Sequence, residues 1–247
     1  MNTKDPLDGK IALVTGASGG IGRAIATELA ARGAVLALGY GANAGPAEEL
    51  AAAIARDGGR AVALGADLRA ATAPDELVDA VEAALGPVDV LVANAGAGRI
   101  ASWQDVDADL FDETLAINLR APYLLARRVV GGMAERGFGR VVFMSSVAAL
   151  IGGIIGPHYA ASKAGLHGLT HYFAGRLAAS GVTVNAIAPA LIEDTGMELG
   201  DHAQLAARIP VGRLGTPAEV ADITMAVLTN AYLTNQVVSV DGGMYPR

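Results

Sequence analysis

Tyr159 and Lys163 lie four positions apart, and Ser146 lies thirteen positions before the tyrosine. On a helix, the four-residue spacing puts the phenol and the ammonium on one face. A lysine charge beside a phenol favours phenolate. It draws the tyrosine pKa down from its unperturbed ~10 toward working pH. A phenol tuned in this way can give or take a proton at a carbonyl or alcohol oxygen. Ser146, on a preceding strand or loop, could hydrogen-bond the same oxygen. The pair alone is weak evidence, because any helix can carry a surface tyrosine beside a solvated lysine.

A second constellation lies near the amino terminus. Residues 10–15 read as a short buried strand, and Gly16-Ala17-Ser18-Gly19-Gly20-Ile21-Gly22 follows. The next stretch, through Arg32, has helical periodicity and stops at Gly33. Strand, glycine loop and helix thus come in the order that a dinucleotide site requires. The glycines permit a tight turn and close approach to a pyrophosphate, and the helix N-terminus offers free N–H groups and a positive dipole end. The spacing is Gly-x-x-x-Gly-x-Gly rather than Gly-x-Gly-x-x-Gly. With 32 glycines in the chain, the triplet means little without its position between strand and helix.

The elements that must position these residues alternate along the chain. Strands are expected at 10–15, 34–39, 60–65, 88–93, 140–145, 182–187 and 236–240. All are nearly continuous apolar runs, as in strands covered on both faces. Helices are expected at 20–32, 46–57, 74–85, 104–135 (irregular near Pro122), 158–179 and 217–229. Pro74 and Pro217 suit first-turn positions. The alternation implies an α/β, Rossmann-type doubly wound parallel sheet with helices on both faces. No linker or repeat interrupts it, so residues 1–247 read as one nucleotide-binding domain. Residues 191–215 break the alternation and read as a small lid after the sixth strand.

In combination, these features resemble the short-chain dehydrogenase/reductase family over essentially the whole chain. Its Thr-Gly-x-x-x-Gly-x-Gly pattern matches Thr15 to Gly22, and its Asn-Ala-Gly motif matches Asn94-Ala95-Gly96. The tetrad asparagine matches Asn118, the catalytic serine matches Ser146 rather than Ser145, and Asp241-Gly242-Gly243 fits the carboxy-terminal motif. The stretches from Tyr159 to Leu166 and from Gly181 to Pro189 look most like the 3-oxoacyl-[acyl-carrier-protein] reductase branch.

The resemblance implies an NAD(P)-dependent oxidoreductase interconverting a carbonyl and an alcohol. Catalysis would fall to Asn118, Ser146, Tyr159 and Lys163, with Asn118 holding a water that links Lys163 to solvent. The cofactor would meet Gly16, Ser18, Gly19, Gly20, Ile21 and Gly22. It would also meet Asp67 and Leu68 at the adenine, Asn94, Ala95 and Gly96 beside the adenosine, Lys163 at the nicotinamide ribose, and Tyr159, Pro189 and Ile192. The carry-over of Thr195 to the nicotinamide is weakened by Pro189-Ala190 in place of Pro-Gly and by one extra residue. The family further implies a homotetramer with helices 104–135 and 158–179 and the carboxy-terminal segment as interfaces.

Cofactor and substrate choice rest on local residues. An acid about 20 positions beyond the glycine loop grips the ribose of NAD and repels the extra phosphate of NADP. Here the second strand runs into Tyr40-Gly41-Ala42-Asn43, with no acid before Glu48. NADP(H) is therefore favoured and NAD(H) remains possible, with Asn43, Arg23 or Arg60 as phosphate holders. An acyl carrier protein would need basic residues, and Arg127, Arg128, Arg136, Arg140 and Arg176 are candidates. Against it, the lid is acidic, and Gly137 and Ser180 stand where carrier-using relatives tend to have arginine. Ile100, Trp103, Leu150, Ile151, Ile154 and Ile155 in the pocket loops suit a small apolar ketone or alcohol, or an acyl thioester, rather than a sugar. A related alcohol, sterol or sugar dehydrogenase, or a non-catalytic nucleotide-binding scaffold, is the alternative.

Composition narrows the rest. The net charge of −7 opposes general nucleic-acid binding. The absence of cysteine removes disulfides and thiolate metal sites, and the four histidines show no ligand spacing, so no metal is expected. The first residues lack a signal-peptide core, and the charge-free run Val141–Pro157 is shorter than the ~20 residues of a membrane span. A cytoplasmic protein without a membrane segment is the expectation.

Overall fold

The computed structural model describes residues 5–195 and 200–245. Seven strands form one sheet: β1 (Ile11–Thr15), β2 (Val35–Tyr40), β3 (Arg60–Gly65), β4 (Val90–Ala93), β5 (Gly139–Met144), β6 (Val182–Pro189) and β7 (Val237–Val240). Every pairing is parallel, and the order is β3-β2-β1-β4-β5-β6-β7. The order reverses between β1 and β4, which opens a crevice beyond their carboxyl ends.

The helices are α1 (Gly20–Ala31), α2 (Gly45–Arg56), α3 (Ala73–Ala84), α4 (Ala108–Leu115), α5 (Ala121–Glu135), α6 (Ala148–Ile151), α7 (Pro157–Leu177), α8 (His202–Ala206) and α9 (Pro217–Thr229). Side chains alternate across each strand and so feed two cores. Ala12, Val14, Leu36, Leu38, Val90 and Val92 meet α1 and α9 through Ile25, Leu29, Val220 and Met225. Leu13, Ala37, Leu91, Val141 and Phe143 meet α3, α5 and α7 through Leu77, Val81, Leu125, Leu166 and Phe173. That two-sided burial is why the strands read as unbroken apolar runs.

Several boundaries differ from the sequence expectation for local reasons. The helix expected from residue 104 starts only at Ala108, because Asp107 is extended and its carboxylate accepts from Leu110 N at 2.9 Å. The irregularity expected near Pro122 is a π-helical turn, Ala116–Arg120, immediately before it. Proline cannot supply its N–H to the ladder, so the register shifts there. The loop after β5 contains α6, and the insertion after β6 contains α8; both are too short to show a period. Thr216 and Glu219 form a capping box at the start of α9. Of the expected lid, 196–199 lie outside the described residues. No helix among the described residues is long and apolar enough to cross a membrane.

Candidate active site

A cleft of about 830 Å³ opens over the carboxyl ends of β1 to β6. Its floor is the turn after β1. Gly16 has φ +67°, and a Cβ there would sit 2.9 Å from Ala95 Cα. A Cβ at Gly22 would collide with the Gly16 carbonyl, and one at Gly20 with the Asp194 carbonyl. These positions therefore require glycine for close backbone approach. Gly19 precedes α1 in extended conformation, no side chain caps the helix, and its first turn holds no acid. The N–H groups at that end are thus left for an anion.

The Asn-Ala-Gly stretch is tied down by β1. Thr15 Oγ1 accepts from Asn94 N at 3.1 Å and from Ala95 N at 3.0 Å. Asn94 Nδ2 donates to Thr15 O at 3.0 Å and to Gly16 O at 3.2 Å. Asn94 lines the cleft, but its amide is spent on shaping the glycine turn. Gly96 passes beneath the lysine, where a Cβ would lie 3.1 Å from Lys163 Nζ.

Helix α7 delivers Tyr159 and Lys163 to the cleft wall. Lys163 is 4% exposed, and its ammonium donates to Met144 O, at the end of β5, at 2.8 Å. Burial lowers its pKa from 10.5 to about 8. Tyr159 is buried, with Lys163 Nζ 5.6 Å from its ring centroid. Burial pushes the Tyr159 phenol above its ordinary pKa, and a hydrogen bond with Ser146 pulls it partly back. This corrects the expectation that the lysine lowers it. Desolvation outweighs the charge here, since the ammonium is turned to a backbone carbonyl. Ser146 Oγ accepts from Ala148 N at 3.1 Å, which fixes its hydroxyl at the start of α6. Ser145 turns away: its hydroxyl donates to Lys163 O at 3.0 Å and lies 2.8 Å from His167 Nε2.

Asn118 is fully buried in the π turn. Its Oδ1 accepts from Ala97 N at 2.8 Å, and its Nδ2 donates to Ala97 O at 2.8 Å and to Ser162 Oγ at 3.1 Å. The side chain is thus committed to holding the loop after β4 against α7. Any water at Asn118 would have to meet its main chain. A π turn at a site of this kind is a frequent functional feature.

The end of the cleft beyond β2 and β3 holds Asp67 and Leu68 in the lining, beside Tyr40, Gly41 and Ala42. Asp67 is bound by Arg69 at 2.8 and 2.9 Å, and this partner holds its carboxyl below the usual range. Arg69 went unrecognised in the sequence, where only its place two residues beyond Asp67 hinted at it. Asn43 is exposed and Arg23 sits on the outer face of α1, both off the lining. Arg60 opens β3 at the amino end of the sheet, away from the cleft over the carboxyl ends, and donates to Ala84 O at 2.9 Å. It is therefore no candidate for a cofactor phosphate. Pro189, Ile192 and Thr195 line the cleft beyond β6, where Ile192 bridges to Gly215. Arg208 and Met244 also line the cleft. Arg208 carried no sequence signal, because the irregular chain from 191 to 215 has no period to read, and Met244 none beyond its place after Asp241-Gly242-Gly243.

The five arginines considered for carrier docking are already engaged. Arg127 pairs with Asp75 at 3.1 Å, Arg128 with Asp79 and Glu82 at 2.8 and 2.7 Å, and Arg136 with Asp89 at 3.2 Å. Arg140 is buried on the carbonyls of Leu228, Gly139 and Gly181, and Arg176 stacks on Tyr172 at 3.8 Å.

Known proteins share this arrangement. The short chain dehydrogenase family profile matches residues 10–205. The L-rhamnose 1-dehydrogenase (NAD(P)(+)) of Sphingomonas sp. (strain SKA58) is 38% identical over 97% of this chain and 97% of its own. The 3-oxoacyl-[acyl-carrier-protein] reductase FabG of Vibrio harveyi is 37% identical over 97% of this chain and 98% of its own. A blue fluorescent protein from a metagenomic library, solved with NADPH, superposes with a TM-score of 0.90 at 34% identity, covering 97% of this chain and 99% of its own. With the profile spanning most of the chain and the relatives matching end to end, the chain belongs to the short-chain dehydrogenase family of oxidoreductases.

Proposed function

We propose that the protein is an NADPH-dependent reductase of an apolar ketone or acyl-type carbonyl, with Tyr159 as general acid. The observation that carries this reading is the buried Tyr159 phenol, bonded to Ser146 and beside Lys163, in a cleft whose other end is an uncapped glycine turn. The residues fit a dinucleotide. The glycine positions leave no room for side chains, and the first turn of α1 presents free N–H groups and no acid. When bound, the reduced nicotinamide supplies a hydride to the carbonyl carbon.

Tyr159 gives its proton to the carbonyl oxygen, and the raised phenol pKa keeps that proton available at neutral pH. Ser146 donates to the same oxygen and stabilises the charge that develops on it. Lys163, positively charged below about 8, favours the phenolate left behind. Asn118 fixes the loop over α7 by its three hydrogen bonds. The missing acid after β2 favours NADP(H) over NAD(H). Of the lid expected at 191–215, the described Asp194 packs its carbonyl close to Gly20.

The substrate end is walled by Ile151, Ile154, Ile155, Leu191 and Met244. That wall supports an apolar carbonyl compound over a sugar, despite the rhamnose dehydrogenase among the relatives. A sugar would need hydrogen-bond partners for each hydroxyl. A free thioester suits the engaged arginines better than a docked carrier protein. The test is oxidation of NADPH and NADH in the presence of apolar ketones, acetoacetyl thioesters and L-rhamnose. Faster turnover of the sugar than of every ketone and thioester would refute the reading.

A further inference from the structure

Of the cleft-lining residues that are described, only Asp67, Arg69, Lys163 and Arg208 carry charge. Asp67 and Arg69 neutralise each other beyond β2 and β3, and Lys163 is committed to Met144 O. Arg208 differs. Among the described residues its guanidinium has neither an ion pair nor a hydrogen bond. Two of the described acids between 191 and 215 are turned to other groups. The Asp201 carboxylate accepts from Ala203 N at 2.8 Å to cap α8, while Glu193 faces Arg213. Arg213 itself is taken by Glu219 at 2.6 Å.

The position of Arg208 is held from behind. Leu205 and Ile209 are buried with Leu214, against Leu191 and Met244. This apolar packing anchors the turn after α8 and leaves Arg208 on the cleft side, with Thr195 in the same lining. An unpaired guanidinium at the edge of an apolar wall is suited to a planar anion, which it can grip by two parallel hydrogen bonds.

We propose that Arg208 binds an anionic group of the substrate, so that the preferred substrate is an apolar carbonyl compound ending in a carboxylate or phosphate. This rests on the reading of the cleft as a carbonyl-reducing site. The shared chemistry is an oxyanion, and a cofactor phosphate is the competing source.

The test uses methyl ketones that carry a terminal carboxylate at increasing distance from the carbonyl, each beside its methyl ester. The wild-type protein should favour one acid over its ester by about tenfold in kcat/KM, the scale of one charge-assisted hydrogen-bonded pair. Arg208→Gln should bring that ratio to about one, Arg208→Lys should restore part of it, and the KM for NADPH should hold. Calorimetric titration of the matching unreactive carboxylate, without cofactor, should show tighter binding to wild type than to Arg208→Gln. A ratio that survives Arg208→Gln overturns the proposal. So does a raised KM for NADPH with the ratio intact, which would assign the anion to the cofactor. Equal calorimetric affinity of the two proteins also overturns it. If no acid or ester turns over but calorimetry still separates the two proteins, the reductase reading fails and the anion site stands.

Discussion

At the residue scale, the chemistry concentrates on one phenol and one ammonium, both taken out of water. Tyr159→Phe removes the proton donor but no group that the glycine turn needs. Reductase kcat should fall about 10²–10⁴-fold while NADPH affinity, followed by fluorescence titration, stays within about twofold. Lys163 sets the pH dependence. Its ammonium is lost as pH rises through about 8, so kcat/KM for reduction should decline above that value, and Lys163→Arg should move the limb upward. Stability runs the other way for this group. Between about 8 and 10.5 the unfolded chain binds the proton more readily, so the cost of burying this lysine is progressively relieved across that window. A loss of rate there, with a melting temperature that does not fall, separates the two effects. The Tyr-x-x-x-Lys spacing made this pair legible in the sequence. The direction of the tyrosine shift was not, because burial and the Met144 carbonyl are set by β5, which no spacing along α7 reveals.

At the element scale, the site depends on strand ends and helix starts held in register. The central strands were legible because both faces are buried, and α1 because its period and Gly33 mark its extent. The short α6 and α8 were not, since each is too short to show a period, and of the π turn at Ala116–Arg120 only an irregularity near Pro122 was legible. The glycine turn gives a direct test. Gly22→Ala would drive a Cβ into the Gly16 carbonyl. NADPH binding should weaken by at least about tenfold, with a lower melting temperature, as expected for a clash in packed backbone. The Thr216–Glu219 capping box gives another. Thr216→Ala should cost about 1 kcal/mol in urea unfolding, the usual loss for a cap. Since Glu219 bonds Arg213 as well as the Thr216 backbone, the same change should also loosen the lid's anchorage, which hydrogen exchange at 213–216 would register.

At the scale of the whole molecule, one parallel sheet brings the carboxyl ends of β1 to β6 to a single cleft. Residues far apart in the chain, from Gly16 to Arg208, meet there. We propose a homotetramer through α5 and α7, the helices singled out in the sequence, on which Tyr123 and Tyr172 remain exposed. Light scattering should give four times the 24.9 kDa chain mass, and a monomer would refute it. The central claim is that this fold reduces a carbonyl by proton transfer from Tyr159, and it is tested most directly by one comparison. NADPH oxidation is followed with a panel of apolar ketones and 3-oxoacyl thioesters, in wild type and in Tyr159→Phe. The account predicts turnover of at least one carbonyl by wild type and its near-complete loss in the variant, with NADPH still bound. Full activity in Tyr159→Phe would contradict it.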